Sequence, residues 1–230
     1  MTFLKLEFQM KLESKKDIKN VIVRKPWGRE YCIYENKDLS VWHLTIMPGQ
    51  KTSLHCHPNK KTALILLNNK ARINLIERGF EIEGLSKIML RNGMFHQTHN
   101  CYQDPINLIE VETPNDKFDL IRIEDDYGRK NKSFEDESQW EPKTSSEQPL
   151  KHNLQQKISG LNFKIENLKN VILGQYHDES VVVVLGKSAF SSKKGEVLCP
   201  TGEAVTFKII KFLNERFKIN NSSKALVIWK

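Results

Sequence analysis

Apolar positions in the first 130 residues fall into short runs, each closed by turn-forming residues. Val21-Ile22-Val23 is β-branched and stops at Lys25-Pro26-Trp27-Gly28. Further extended runs lie at 41–47, 63–67, 71–76, 80–82, 87–90, 106–111 and 118–123. Pro48-Gly49, Asn68-Asn69 and Asn92-Gly93 punctuate them. Such pairs make turns because Gly and Asn tolerate left-handed backbone, and Asn-Gly is a strong hairpin signal. Many short strands joined by turns predict an antiparallel sandwich or barrel rather than β-α-β units. Residues 3–20 mix apolar and charged positions in a pattern that fits a short amphipathic helix or an edge strand.

The pattern changes at 126–150, which is polar and carries Glu, Ser and Pro. It reads as a linker. Strand signals resume at 171–173, 181–185, 197–198, 205–210 and 225–229. The expected organisation is therefore a β domain over 1–130, a linker over 131–150 and a second β domain over 151–230.

Composition narrows the function classes. Hydrophobic residues make up 39% of the 230, enough for a globular core. The net charge of +8 is scattered, with no arginine stripe interleaved with aromatics, so nucleic acid is not the expected partner. A mildly basic surface suits an anionic small molecule such as a sugar phosphate. The four cysteines, Cys32, Cys56, Cys101 and Cys199, form no CxxC pair, which argues against a zinc knuckle or a disulfide framework. No apolar run reaches membrane length, and charges interrupt the N-terminal apolar residues; a cytoplasmic location is expected.

The candidate chemistry lies between Gly49 and Asn100. His55 and His57 flank Cys56, and alternate strand residues share a face, so both imidazoles point one way. His96 follows the Gly93 turn. Three neutral imidazoles on the inner wall of a barrel can hold one divalent ion and leave positions open.

This spacing resembles the two motifs of the cupin superfamily. Gly49, His55 and His57 match the first motif; Gly93, His96 and Asn100 match the second. The resemblance implies a double-stranded β-helix, the cupin or jelly-roll barrel, holding one divalent metal ion (Zn, Fe, Mn or Ni). Two positions depart from the motifs. Lys61 and Thr62 stand where the carboxylate ligand belongs, and Arg91 replaces a proline. Pro200-Thr201-Gly202 echoes the second motif without its histidine, so the second half is expected to be a degenerate cupin barrel that serves packing or a homodimer.

Lys25-Pro26-Trp27-Gly28, Pro48-Gly49-Gln50, Ile109-Glu110-Val111 and the run from Asp119 to Arg129 resemble the cupin domain of type II mannose-6-phosphate isomerases. That implies a sugar-phosphate or nucleotide-sugar isomerase or epimerase. Such a reaction needs a base, for which Glu110 and His99 are the candidates. It also needs cations for the phosphate, for which Lys61, Arg122 and Arg129 are the candidates. Two rival readings stand beside it: a three-histidine iron dioxygenase acting on a small thiol, and a non-catalytic sugar-binding barrel.

Overall fold

The computed structural model describes residues 18–129, 135 and 137–230. Most of the 3–20 segment, expected as helix or edge strand, lies outside these residues; Ile18–Asn20 forms a single 3-10 turn.

The first half contains β1 (Val21–Lys25), β2 (Gly28–Glu35), β3 (Ser40–Ile46), β4 (Leu54–Cys56), β5 (Lys61–Leu66) and β6 (Lys70–Asn74). It continues with β7 (Gly79–Glu83), β8 (Lys87–Leu90), β9 (Gln97–His99), β10 (Ile106–Thr113), β11 (Ile121–Glu124) and β12 (Trp140–Pro142). A seven-stranded sheet runs in the order β12-β1-β2-β3-β10-β5-β8. The facing layer is β7-β6-β9 together with the pair β4-β11. Bridges Lys51↔His99 and His55↔His96 join its two parts. Every strand pairing in these sheets is antiparallel. Between the layers lie Val23, Trp27, Trp42, Leu44, Leu64, Leu66, Ile73, Ile106 and Leu108, all buried. This is the expected β-barrel.

Two glycines shape the closure of this layer. Gly28 has φ +148°, and a Cβ there would lie 2.0 Å from the Thr45 carbonyl oxygen, so only glycine lets β2 lie this close to β3. Gly49, at φ +70°, opens the loop that leads into β4; its N–H donates to the Asn100 carbonyl at 2.9 Å. Asn100 is fully buried, and its side chain donates to the carbonyls of Ile46 and Asp104 at 3.0 and 2.9 Å. The motif asparagine is thus a clamp that fixes the loops on either side of β9.

The described residues of the 131–150 segment, read from sequence as a linker, include ordered elements. β12 pairs with β1 at the edge of the large sheet. A 3-10 turn at Ser145–Glu147 has a capping box between Thr144 and Glu147.

The second half contains β13 (Gln156–Ile158), β14 (Leu161–Asn167), helix α1 (Leu168–Leu173), β15 (Val181–Val184), β16 (Ser188–Ser191) and β17 (Val197–Pro200). It ends with β18 (Ala204–Thr206), helix α2 (Phe207–Asn214), β19 (Lys218–Ile219) and β20 (Lys224–Trp229). A five-stranded sheet, β13-β14-β20-β15-β18, packs Phe163, Ile165, Val181, Val183, Leu226 and Ile228 onto the outer face of the large sheet. Its other face is covered by α1, α2 and a three-stranded sheet, β17-β16-β19. The expected strand at 171–173 is helical here, and of the one expected at 205–210 only 205–206 is strand, the rest being helix. Short apolar runs do not separate strand from buried helix, and both segments sit against the sheet through residues one helical turn apart: Leu168 with Val171, and Phe207 with Ile210. Among the described residues no helix is long and apolar enough to cross a membrane.

Candidate metal centre

The ladders explain the position of each histidine. The His55 N–H donates to the His96 carbonyl at 3.0 Å, and the His96 N–H donates back to His55 at 2.8 Å. This bridge brings the two motifs side by side. The strand period then puts His57 on the same face as His55. The ring centroids are 4.4 Å apart for His55 and His96, 5.0 Å for His55 and His57, and 5.5 Å for His57 and His96. One nitrogen from each lies within 4.8 Å of the others. All three side chains are buried.

Each Nδ1 faces a backbone carbonyl: Ser53 for His55 at 2.8 Å, Asp119 for His57 at 2.6 Å and Met94 for His96 at 3.1 Å. A carbonyl can only accept, so each Nδ1 carries the proton and each Nε2 offers a lone pair. The Nε2 atoms of His57 and His96 are buried without a hydrogen-bond partner. Buried polar atoms are rarely left so, and outer anchoring of the ring is the usual support for an imidazole ligand. Burial pushes His57 and His96 down to about 4, and His55 well below its ordinary value; neighbouring rings add to the effect on His55 and His96, and Lys60 adds to it on His57. The trio is therefore neutral at neutral pH, the form that binds a cation. The residues present fit a divalent ion.

Next to the histidines, β10 turns a carboxylate pair inward. Ile106 and Leu108 face the barrel interior, so Glu110 and Glu112 do too; Ile109 and Val111 take the opposite face. Neither glutamate is solvated: both are buried. Donor atoms of His57, Glu110 and Glu112 also lie within 4.8 Å of one another. Lys117 stands against both, 3.3 Å from Glu110 and 3.5 Å from Glu112, and 3.5 Å from Glu30. Its ammonium lies 4.3 Å from the centre of the Trp42 ring. Lys60, fully buried, donates to Glu112 at 2.8 Å. Burial pushes the Glu110 carboxyl up, with Lys117 opposing. Burial acts on Glu112 in the same direction, but Lys117 and Lys60 outweigh it and hold that carboxyl at about 2. Burial disfavours the Lys117 ammonium, yet Glu112, Glu30 and Glu110 keep it protonated well above the ordinary lysine range. Two neighbouring carboxyls are thus driven in opposite directions.

A cavity of about 60 Å³ opens onto this cluster, lined by His55, His57, Glu110, Glu112, Lys117 and Arg122, among others. Of the phosphate candidates, Arg122 and Arg129 line it and Lys61 does not. Arg122 donates to Ser53 Oγ at 3.2 Å and to the Arg129 carbonyl at 3.4 Å. Arg129 is engaged with Asp125 and Glu135, each at 2.6 Å. Lys61 lies half-buried on β5, while its neighbour Lys60 turns inward to Glu112. The base candidates separate as well. Glu110 lines the cavity; His99 does not, and its Nδ1 lies 3.2 Å from Cys101 Sγ. His99 is three residues beyond His96 on a regular strand, so it takes the other face. Sequence reasoning missed Lys117, Glu30 and Lys25. Lys117 lies in an irregular segment where no periodicity signals an inward side chain, and Lys25 with Glu30 flanks what reads as a turn.

Known proteins match part of the chain. Residues 13–125 match the family described as the mannose-6-phosphate isomerase C-terminal domain. Alginate biosynthesis protein AlgA of Pseudomonas aeruginosa is 26% identical over 109 residues, covering 46% of this chain and 23% of that protein. Xanthan biosynthesis protein XanB of Xanthomonas campestris pv. campestris is 30% identical over 112 residues, with the same two coverages, 46% and 23%. The chain thus spans less than a quarter of the length of these relatives. Among solved structures, a double-stranded β-helix protein from Klebsiella pneumoniae aligns over 42% of this chain and 84% of that one, at TM-score 0.39 and 18% identity. KdgF from Halomonas sp. aligns over 40% and 84%, at TM-score 0.38 and 12% identity. The N-terminal half of this chain is a double-stranded β-helix, and its residues 13–125 resemble the C-terminal domain of mannose-6-phosphate isomerases.

Proposed function

We propose that the barrel is a metal-dependent sugar isomerase or epimerase site, acting on a sugar phosphate or a nucleotide sugar. The convergence of three buried imidazoles, two of them with unpartnered Nε2 atoms, beside an inward carboxylate pair carries this reading. The relatives add to it: besides AlgA and XanB they include a mannose-1-phosphate guanylyltransferase of Klebsiella pneumoniae. His55, His57 and His96 would hold the cation, which supplies Lewis-acid polarisation of a substrate oxygen.

The chain's own residues do the rest. Isomerisation between adjacent carbons needs one group that takes a proton and returns it. Glu110 suits this task because it faces the cavity, burial raises its carboxyl above the ordinary carboxylate range, and Lys117 keeps it oriented. Glu112, held ionised by Lys60 and Lys117, stays a fixed charge. The cavity holds about two waters' volume, so only the reacting end of a sugar reaches the histidines as the chain stands. Arg122 and Arg129 line this cavity and are the groups placed to meet an anion.

The test is elemental analysis of the purified chain, followed by ¹H NMR in D₂O of mannose 6-phosphate, fructose 6-phosphate and nucleotide sugars. A divalent ion near one per chain, lost in His96→Ala, and solvent deuterium incorporated at a sugar carbon, slowed at least about 100-fold in Glu110→Gln, are the expected results. Bound ion with no exchange on any of these sugars overturns the isomerase reading. Bound iron with thiol-dependent oxygen uptake would replace it with the dioxygenase.

A further inference from the structure

Two donor sets meet at His57. One is the trihistidine; the other is His57 with Glu110 and Glu112, and each set lies within 4.8 Å. Donors around one small divalent ion sit roughly 3 to 4.2 Å apart, since each bond is about 2.1 Å. The carboxylates are therefore almost at ligand spacing from a ring that already faces the ion. They are not free to move there. Glu112 accepts from Lys60 at 2.8 Å and from Ser40 Oγ at 3.2 Å, on different oxygens. Among the described residues, Glu110 pairs with Lys117, at 3.3 Å. The Lys117 ammonium sits among Glu30, Glu110 and Glu112 and against the Trp42 ring, both buried surroundings. It fills the place that a hard cation would take.

Building on the trihistidine reading above, we propose that Lys117 selects which cation the barrel holds, by occupying the Glu110 carboxylate that a harder ion would recruit. With Lys117 in place the ion meets nitrogen donors alone. Imidazole suits zinc, nickel, copper and iron, whereas carboxylate oxygen suits manganese and magnesium. The same contact leaves Glu110 available for proton transfer instead of ligation. Removing the ammonium leaves Glu112 still held by Lys60, so Glu110 is the carboxylate released.

Chelator-competition titrations with Zn²⁺ and Mn²⁺ on the full chain test this. Wild type should prefer Zn²⁺. Lys117→Met should tighten Mn²⁺ at least tenfold while changing Zn²⁺ by less than threefold. Adding Glu110→Gln to that variant should abolish the gain, whereas Glu110→Gln alone should leave the wild-type affinities near their starting values. An unchanged Mn²⁺ affinity in Lys117→Met, or a gain that survives Glu110→Gln, overturns the proposal. Should Lys117→Met fold poorly, its melting temperature with and without Mn²⁺ provides the readout: a larger Mn²⁺-induced rise than in wild type supports the proposal, and an equal or smaller one refutes it. His96→Ala separates the two readings. Zinc bound through the histidines with no Lys117 effect removes only this proposal; no zinc bound by wild type removes the trihistidine reading and this proposal with it.

Discussion

Single residues carry the site through the period of a strand. His55 and His57 could be paired from sequence because alternate positions share a face, and the structure puts both rings beside His96. The same rule placed Glu110 and Glu112 together but could not say which way they faced. That depends on where the core lies, which only the packing of Leu108 and Ile109 on opposite sides reveals. His43 illustrates a residue with a consequence outside the site. It is buried against Tyr31, with ring centroids 4.9 Å apart, and its Nε2 lies 2.9 Å from Ser159 Oγ. Burial, with help from Arg29, pushes it down to about 4. The unfolded chain then binds one more proton than the folded chain between pH 4 and the ordinary value near 6.5. Stability from this group is complete above pH 6.5 and falls as pH drops toward 4, by about 3 kcal/mol in all. Urea titrations from pH 4 to 7 should show this slope, and His43→Phe should flatten it by about one proton's worth. An identical slope in the variant would count against the assignment.

At the scale of elements, the strands of the first half were legible because turn residues bracket each one. Asn92-Gly93 and Pro48-Gly49 mark real turns, with Gly93 and Gly49 at φ +71° and +70°. The helices of the second half were not. Val171-Ile172 is a β-branched pair followed by Leu173, and the surrounding fold, not intrinsic preference, makes this run the end of α1. Strand β12 was hidden for a different reason: an edge strand of three residues in a polar stretch has no period to read. Gly28 tests how tightly these elements are set. Gly28→Ala would drive a methyl against the Thr45 carbonyl and hold alanine at φ +148°, so it should cost about 3 kcal/mol in thermal or urea unfolding. A loss within 0.5 kcal/mol, about the size of an ordinary surface change, would mean that the β2–β3 approach is looser than described.

Across the whole molecule, the polar stretch around residue 140 suggested two units, yet the largest apolar cluster crosses it. Ile33, Val41, Ile65 and Val111 from the barrel meet Phe163, Ile165, Val183 and Leu226 from the second half. The unbroken apolar run at 63–67 fits a strand covered on both faces, but it does not identify what covers the second one. Phe163, with no exposed surface, sits in that shared layer. Phe163→Ala should cost about 4 kcal/mol, and the loss should appear in one transition by tryptophan fluorescence and far-UV circular dichroism alike. Two separated transitions, only one of them shifted, would show that the layers unfold independently.

The covered back of the barrel has a practical corollary. A fragment trimmed to the region that matches the sugar enzymes would display a greasy plate of Ile22, Ile33, Val41, Ile65, Ile109 and Val111 to water. Such a truncation should clump or fall into inclusion bodies, although it would keep every histidine of the cation centre. The strands after residue 156 then act as a built-in lid on stickiness, so solubility is inherited from the half that carries none of the proposed chemistry.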